Sequence, residues 1–253
     1  MNILFQDDYF EDEIPIWKKY GATIIHGLCD ERDIKEFGPT IARGTISFDR
    51  SVKQSFKYKN WPNLMWPFNN DWKVYNYDYL LNCSDILNED AVIVNMIRYY
   101  DIFKSFGEKF WIRSNSGAKL FTGGIFTPDE MEVEFEYFRQ KGMGNFELVL
   151  ANPKEIGIEW RIVIIDGRVI AGSAYMDGGE PKVNDIVPFY VVDFTKEWVK
   201  KHKFLFPSSY VVDVCEHDDA LKVVEVNNLL TSGWYDCDVE AIVKAIIQQA
   251  SNP

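Results

Sequence analysis

The 253-residue chain has few histidines and cysteines, fewer basic than acidic side chains, and no long apolar run. His26, His202 and His217 stand far apart, and Cys29, Cys83, Cys215 and Cys237 never form a Cys-x-x-Cys pair. Neither a zinc site nor a disulfide framework is supported, and reduced thiols are expected. Against 39 acidic residues stand 27 basic ones, giving a formal net charge of −12. A field of that sign repels phosphate, which disfavours nucleic acid as a partner; any phosphate ligand must be held by locally gathered cations or by a metal. The longest aliphatic stretches, such as Ile162 to Ile165, fall far short of the ~18 residues that span a bilayer, so no membrane helix is expected. No basic segment leads into an apolar run after Met1, and a cytoplasmic location is the expectation. There is no Gly-x-x-x-x-Gly-Lys-Ser/Thr loop, no Gly-x-Gly-x-x-Gly and no serine elbow, which removes phosphate-loop NTPases, dinucleotide-binding domains and α/β-hydrolases.

What is present suits a folded protein of one large or two small domains, since hydrophobic residues make up 47% of the chain and eight are Trp. The first 85 residues alternate short β-like runs (Asn2 to Phe5, Ala22 to His26, Gly44 to Phe48) with polar stretches, and read as a small α/β unit. A helix is expected from about Asp90 to Phe103, where Val92, Met96, Tyr99, Tyr100 and Phe103 recur at helical spacing. Phe110 to Arg113 reads as a strand, followed by the turn Ser114-Asn115-Ser116-Gly117. Thr127-Pro128-Asp129-Glu130 sets a capping residue, a first-turn proline and a capping-box Glu in order, so a helix should run to about Lys141. Glu147 to Leu150, Glu159 to Ile165 and Arg168 to Tyr175 are extended, and Asp166-Gly167 is a two-residue hairpin signal. A helix near Thr195 to His202, strands Tyr210 to Cys215 and Leu221 to Val226, and a closing helix after Asp238 complete the pattern.

The last two strands carry the chemistry. A hairpin centred on residue 219 sets Asp213 opposite Glu225, and period-two alternation puts Asn227 on the same face. Two bare carboxylates at ~4 Å repel by about 4 kcal/mol at an effective dielectric of 20, so the pair calls for a cation. Two carboxylates and an amide suit Mg²⁺, which keeps waters and binds alongside substrate phosphates. Val212, Val214, Val224 and Val226, on the alternate positions, are expected to face the core.

Glu225-Val226-Asn227-Asn228 after an Asp-bearing strand, followed by Ser232-Gly233-Trp234-Tyr235, resembles the metal-binding end of the ATP-grasp superfamily. Glu159-Trp160-Arg161 with its hydrophobic hairpin, and Arg113 to Gly123, resemble the divergent clade named for its arginine and two lysines, whose members are often found in phage and bacteria. The resemblance runs from about residue 85 to 250 and implies an α+β fold in which two subdomains, 86–150 and 151–253, sandwich nucleotide behind an N-terminal unit of residues 1–85. It implies ATP and Mg²⁺ as cofactors, with Asp213, Glu225 and Asn227 holding the metal. Arg113 stands where most members place a lysine against the nucleotide, and Lys119 lies in the loop over the phosphates. Backbone groups of Glu147, Leu148, Val149, Leu150 and Ala151 would meet adenine, and Glu159 the ribose. Arg161 would meet the transferred phosphoryl group, with Lys182 as a second cation there. The implied activity is carboxylate–amine ligation through an acyl phosphate, the carboxylate belonging to an amino acid, a peptide or a protein end. A phosphoryl transferase that stops at the phosphorylated product, and a nucleotide-binding interaction module without turnover, are the alternatives.

Of the remaining polar residues, Arg43 before Gly44 is expected to be structural, and His217 to be solvated in the hairpin turn. Trp61, Trp66 and Trp72 are expected in core packing before any pocket floor.

Overall fold

The computed structural model describes residues 1–251 except 63, 64, 66–71, 99–105, 118, 119, 122 and 144. The described strands form three sheets. The first is parallel, with β1 (Asn2–Gln6) between β2 (Thr23–Ile25) and β3 (Thr40–Arg43), and is accompanied by α1 (Ile14–Lys19) and α2 (Ile46–Tyr58). The strand expected over Gly44 to Phe48 is not there. β3 ends at Arg43, and the Thr45 hydroxyl accepts from the Phe48 N–H at 3.2 Å, so Thr45 caps α2 instead. Gly44 makes the close turn between them, since a Cβ there would lie 2.5 Å from Phe48 Cδ1.

After the short helix α3 (Tyr77–Leu80) comes an antiparallel sheet of β4 (Val92–Asn95), β5 (Phe110–Ser114), β6 (Gly124–Phe126) and β7 (Glu147–Ala151), in the order β4-β7-β5-β6. The helix expected over 90–103 is corrected here. Three successive β-branched residues, Val92, Ile93 and Val94, form β4 and pair with β7; a 3₁₀ turn follows at Met96–Arg98, and 99–103 lie outside the described residues. The expected capping box is complete at α4 (Pro128–Gln140), with the Glu130 carboxylate accepting from the Thr127 N–H at 2.7 Å. Leu148 and Leu150 of β7 pack beneath α4 with Met131, Phe135 and Phe138, whereas Val149 faces the other way.

The third sheet holds β8 (Ile158–Ile165), β9 (Arg168–Asp177), β10 (Glu180–Asn184), β11 (Tyr210–His217) and β12 (Ala220–Asn227) in the order β10-β9-β8-β11-β12. Its helices are α5 (Phe189–His202) and α6 (Val239–Ser251), the latter capped by Asp238. Asp166-Gly167 turns the first hairpin with φ of 52° and 69°. Asp218-Asp219 turns the last one with 48° and 59°, a tighter turn than Glu216 to Ala220, which leaves His217 on β11 with its Nδ1 2.7 Å from the Glu155 carbonyl oxygen.

Alternation gives the third sheet two different faces. Trp160, Ile162, Ile164, Val212 and Val214 fill the core shared with α5. On the opposite face Val163, Ile165 and Val211 pack with α6 and with Ile3, Phe5, Trp17 and Ile41 of the first sheet and α1, while Glu159, Arg161, Asp213, Glu225 and Asn227 continue the same face past the cover of α6. Trp61 and Trp72 pack against apolar clusters as expected, and Trp66 lies outside the described residues. No described helix is long and apolar enough to cross a membrane, and all four cysteines are free thiols.

Arg43 joins the first sheet to the loop that follows the third. It is fully buried, forks onto the Glu13 carboxylate, and donates to the carbonyls of Leu230 (3.1 Å) and Ser232 (2.6 Å). The guanidinium lies 3.7 Å from the Phe10 ring centroid and 3.9 Å from that of Trp234. Arg43→Met would strand a buried carboxylate, and urea unfolding is expected to register a loss of about 3–5 kcal/mol. The double variant Glu13→Leu/Arg43→Met should recover part of that loss.

Candidate functional site

The register of β11 and β12 sets Asp213 opposite Glu225, as a hairpin centred on residue 219 requires, by an indirect route. The two-residue turn centres the hairpin half a residue earlier, and a β-bulge restores the pairing: Val214 pairs with Val223 and Asp213 with Glu225, leaving Val224 as the extra residue. Val223, not Val224, therefore enters the core, and Val224 turns toward the site. A second bulge lies across the sheet. Glu159 pairs with Met176 and Trp160 with Ala174, so Tyr175 is the extra residue of β9 and also turns toward the site.

Asp213, Glu225 and Asn227 converge. The Asn227 amide donates to Glu225 Oε1 at 2.7 Å and stands 3.3 Å from Asp213 Oδ2. Arg161, paired with Asp213 across β8 and β11, donates to Asp213 through Nε at 2.8 Å and Nη2 at 2.7 Å, and through Nη1 to the Gly233 carbonyl at 3.0 Å. Burial by itself would lower the Arg161 pKa, but the Asp213 carboxylate outweighs it and raises it, so the guanidinium stays charged. Its carbon lies 5.3 Å from the Tyr175 ring and 4.9 Å from that of Tyr235; the two rings stack at 4.8 Å and 5°. The Tyr175 hydroxyl donates to Glu159 at 2.8 Å. Burial, reinforced by Asp213 and Glu225, raises the Glu159 pKa above the usual carboxylate range although that hydrogen bond opposes it.

Arg113 approaches from the second sheet. It shares a face with Trp111 and ion-pairs with Glu225, so the last carboxylate of the third sheet is neutralised by a cation of its neighbour. Between the two sheets lies a cleft of about 580 Å³. Trp111, Arg113, Leu120, Phe121 and Gly123 line one wall and Glu159, Tyr175, Val224 and Glu225 the other. That size suits a nucleotide-sized ligand. A larger groove of about 740 Å³ borders the Asp218-Asp219 turn, but Glu155, Glu216, Asp218 and Asp219 line it with no Lys or Arg, so it is no place for phosphate.

Other expected residues are disposed differently. Lys182 lies on β10 beside the sheet's reverse face, bordering a groove with Trp160 and Ala174, and its ammonium pairs with exposed Asp177 at 2.7 Å. The edge strand and its bulge carry it away from Arg161, so it is not gathered with the cluster. β7 is an interior strand, hydrogen-bonded to β4 and β5, so the backbone of Leu148, Val149 and Leu150 is engaged in the sheet. Only its end at Ala151, paired with cleft residue Trp111, adjoins the cleft wall, and the Glu147 side chain accepts from Asn115 at 2.9 Å. Lys119 lies outside the described residues. Sequence reasoning assigned neither Trp111 nor Tyr175 to the site and placed Val224 in the core. Strand alternation from Arg113 signals Trp111, whereas nothing local announces the bulges that turn the other two.

The donor chemistry fits Mg²⁺. No group of three or more His, Cys, Asp or Glu is gathered as a cage among the described residues; what converges is two carboxylates and an amide, a set for an ion that keeps waters and shares phosphate oxygens.

No curated protein is similar to the chain in sequence. Solved structures are similar in fold. The D-alanine–D-alanine ligase from Bacillus anthracis superposes with a TM-score of 0.66 at 15% identity, covering 99% of this chain and 97% of that one. A RimK domain ATP-grasp protein from Sphaerobacter thermophilus gives 0.60 at 13% identity, with 99% and 97% covered. The ATP-grasp ligase PsnB complexed with a minimal precursor gives 0.58 at 11%, with 98% and 99% covered. Residues 51–246 match the ATP-grasp domain, family 3 of the clade named for its arginine and two lysines, and with the sandwich of sheets around a cation-lined cleft this makes the chain a member of that family.

Proposed function

We propose that this protein is an ATP-dependent ligase that joins a carboxylate to an amine through an acyl phosphate. One observation carries the reading: Arg113, Arg161, Asp213, Glu225 and Asn227 converge from two sheets, with Arg113 and Glu225 on facing walls of a nucleotide-sized cleft, in a chain with an ATP-grasp domain. Folds of this shape in D-alanine–D-alanine ligase, D-cycloserine synthetase and PsnB support a ligase acting on amino-acid or peptide groups. The proposed division is an N-terminal unit of residues 1–85, a nucleotide-covering part of 86–150 and a metal-binding part of 151–253.

Asp213, Glu225 and Asn227 would hold Mg²⁺, which supplies charge neutralisation to the nucleotide phosphates. A substrate carboxylate oxygen attacks the γ-phosphorus, the bond to the β-phosphate oxygen breaks, and ADP leaves. The amine nitrogen then attacks the acyl carbon, loses its proton and expels inorganic phosphate. No protein nucleophile takes part. The chain contributes position and preorganised charge. Arg161, held between Asp213, the Gly233 carbonyl and two tyrosine rings, fixes the buried Asp213 carboxylate behind Glu225. Arg113 supplies a cation on the opposite wall, and the base would sit at the Ala151 end of β7 near Trp111. Glu159 would accept from the ribose.

Calorimetric titration of ATP with Mg²⁺ tests the site. Wild type is expected to bind, and Glu225→Ala to weaken binding at least tenfold with the circular dichroism spectrum unchanged; equal binding would refute the assignment. ADP release against a panel of amino acids and short peptides should require both a carboxylate and an amine. Release with the carboxylate alone, leaving a stable phosphorylated product, would convert the reading to a phosphoryl transferase.

A further inference from the structure

Glu225 is the one carboxylate of the opposed pair that meets the cleft, its side chain 17% exposed against 0% for Asp213. It is already matched with a cation. Arg113 donates to Glu225 Oε2, and Asn227 donates to Oε1. An inner-sphere Mg²⁺ ~2.0–2.1 Å from those oxygens would stand against the Arg113 guanidinium, so the two cations compete for Glu225. Arginine cannot give way by losing its proton, so it must give way by moving.

We infer that Arg113 is the resident counter-ion of the Glu225 metal site, that a divalent cation and Arg113 compete there, and that metal therefore binds tightly only together with an anion that receives the displaced guanidinium. This rests on the ligase reading of the cleft and adds the order in which its parts assemble.

The two arginines are built for different tasks. Arg161 is held by the two oxygens of Asp213, the Gly233 carbonyl and the stacked Tyr175 and Tyr235 rings, all on the sheet or loop that carries its partner. Arg113 reaches Glu225 from another sheet, adds a hydrogen bond of 3.3 Å to its neighbour Ser114, and lies 5.9 Å from the Tyr77 ring. It already lines the cleft, where the phosphates of a bound nucleotide would offer oxygens in fork geometry. Nucleotide and metal then relieve one another: the metal takes Glu225 from Arg113, and the phosphates take Arg113 from Glu225. Such exchange is a coupling between two ligands and is necessarily reciprocal.

Mn²⁺ as the probe, counted by electron paramagnetic resonance, tests this with and without ATP. Wild type should bind Mn²⁺ weakly without nucleotide and at least tenfold more tightly with it. Arg113→Gln, which removes the competing charge, should tighten nucleotide-free Mn²⁺ binding about tenfold and shrink the coupling to near unity; Arg113→Lys should retain the wild-type pattern. Adding Glu225→Gln to Arg113→Gln should abolish the gain. Unchanged or weaker Mn²⁺ binding in Arg113→Gln, or a gain that survives Glu225→Gln, overturns the exchange while ATP–Mn²⁺ binding to wild type leaves the ligase reading standing. No ATP–Mn²⁺ binding to wild type overturns both.

Discussion

Crowding of carboxylates on one sheet face is the constraint around which this molecule is arranged. Glu159, Asp213 and Glu225 share one end of a face whose other end is packed beneath α6, with Glu159 and Asp213 buried. Like charges at strand spacing are destabilising, and burying them unpaired would be worse. Each is answered by a donor that requires tertiary structure: Arg161 for Asp213, Arg113 for Glu225, and the Tyr175 hydroxyl for Glu159. Such pairs contribute little to net stability once desolvation is charged against them, and the breaking of one partner is what costs. Their value is in specifying position.

That arrangement couples parts of the chain far apart in sequence. Arg161 holds the carbonyl of Gly233, and Arg43 holds those of Leu230 and Ser232, so two guanidinia grip the loop that follows the metal-ligand candidate Asn227. One belongs to the first sheet and the other to the third. Arg43 is thus buried and fully bonded, and its contacts make the first sheet a support for the loop beside the cleft. Tyr235, on the same loop, has a φ of 50°, an uncommon state for a bulky residue, and its ring lies flat on Tyr175. The loop is over-determined by these contacts, which is how such a backbone state is sustained.

Bulges do in the sheet what the guanidinia do in the loop. One extra residue in β12 and one in β9 turn Val224 and Tyr175 toward the cleft while their neighbours remain paired. Both lie at the site's edge, where a ladder locally re-aims a side chain at small cost in pairing.

Much of this was legible in the sequence because its cause is local. The capping box at Thr127 and the Asp166-Gly167 turn are settled by short-range hydrogen bonding and backbone sterics. The opposition of Asp213 and Glu225 matches alternation about residue 219, but the structure reaches it through the bulge at Val224. Family membership was legible for a related reason: the order of three motifs is a property of the chain itself. Val92 to Asn95 misled, because helical spacing and β-branching competed there and pairing with β7 decided the outcome. Which cation meets which carboxylate is another matter. Arg113 and Glu225 are joined by the approach of two sheets, and Lys182 is parted from Arg161 by the edge position of β10. The residue types and their strand faces are determined locally; the partners of buried charges are decided only where desolvation makes every unpaired one costly, and that condition exists only in the packed tertiary structure.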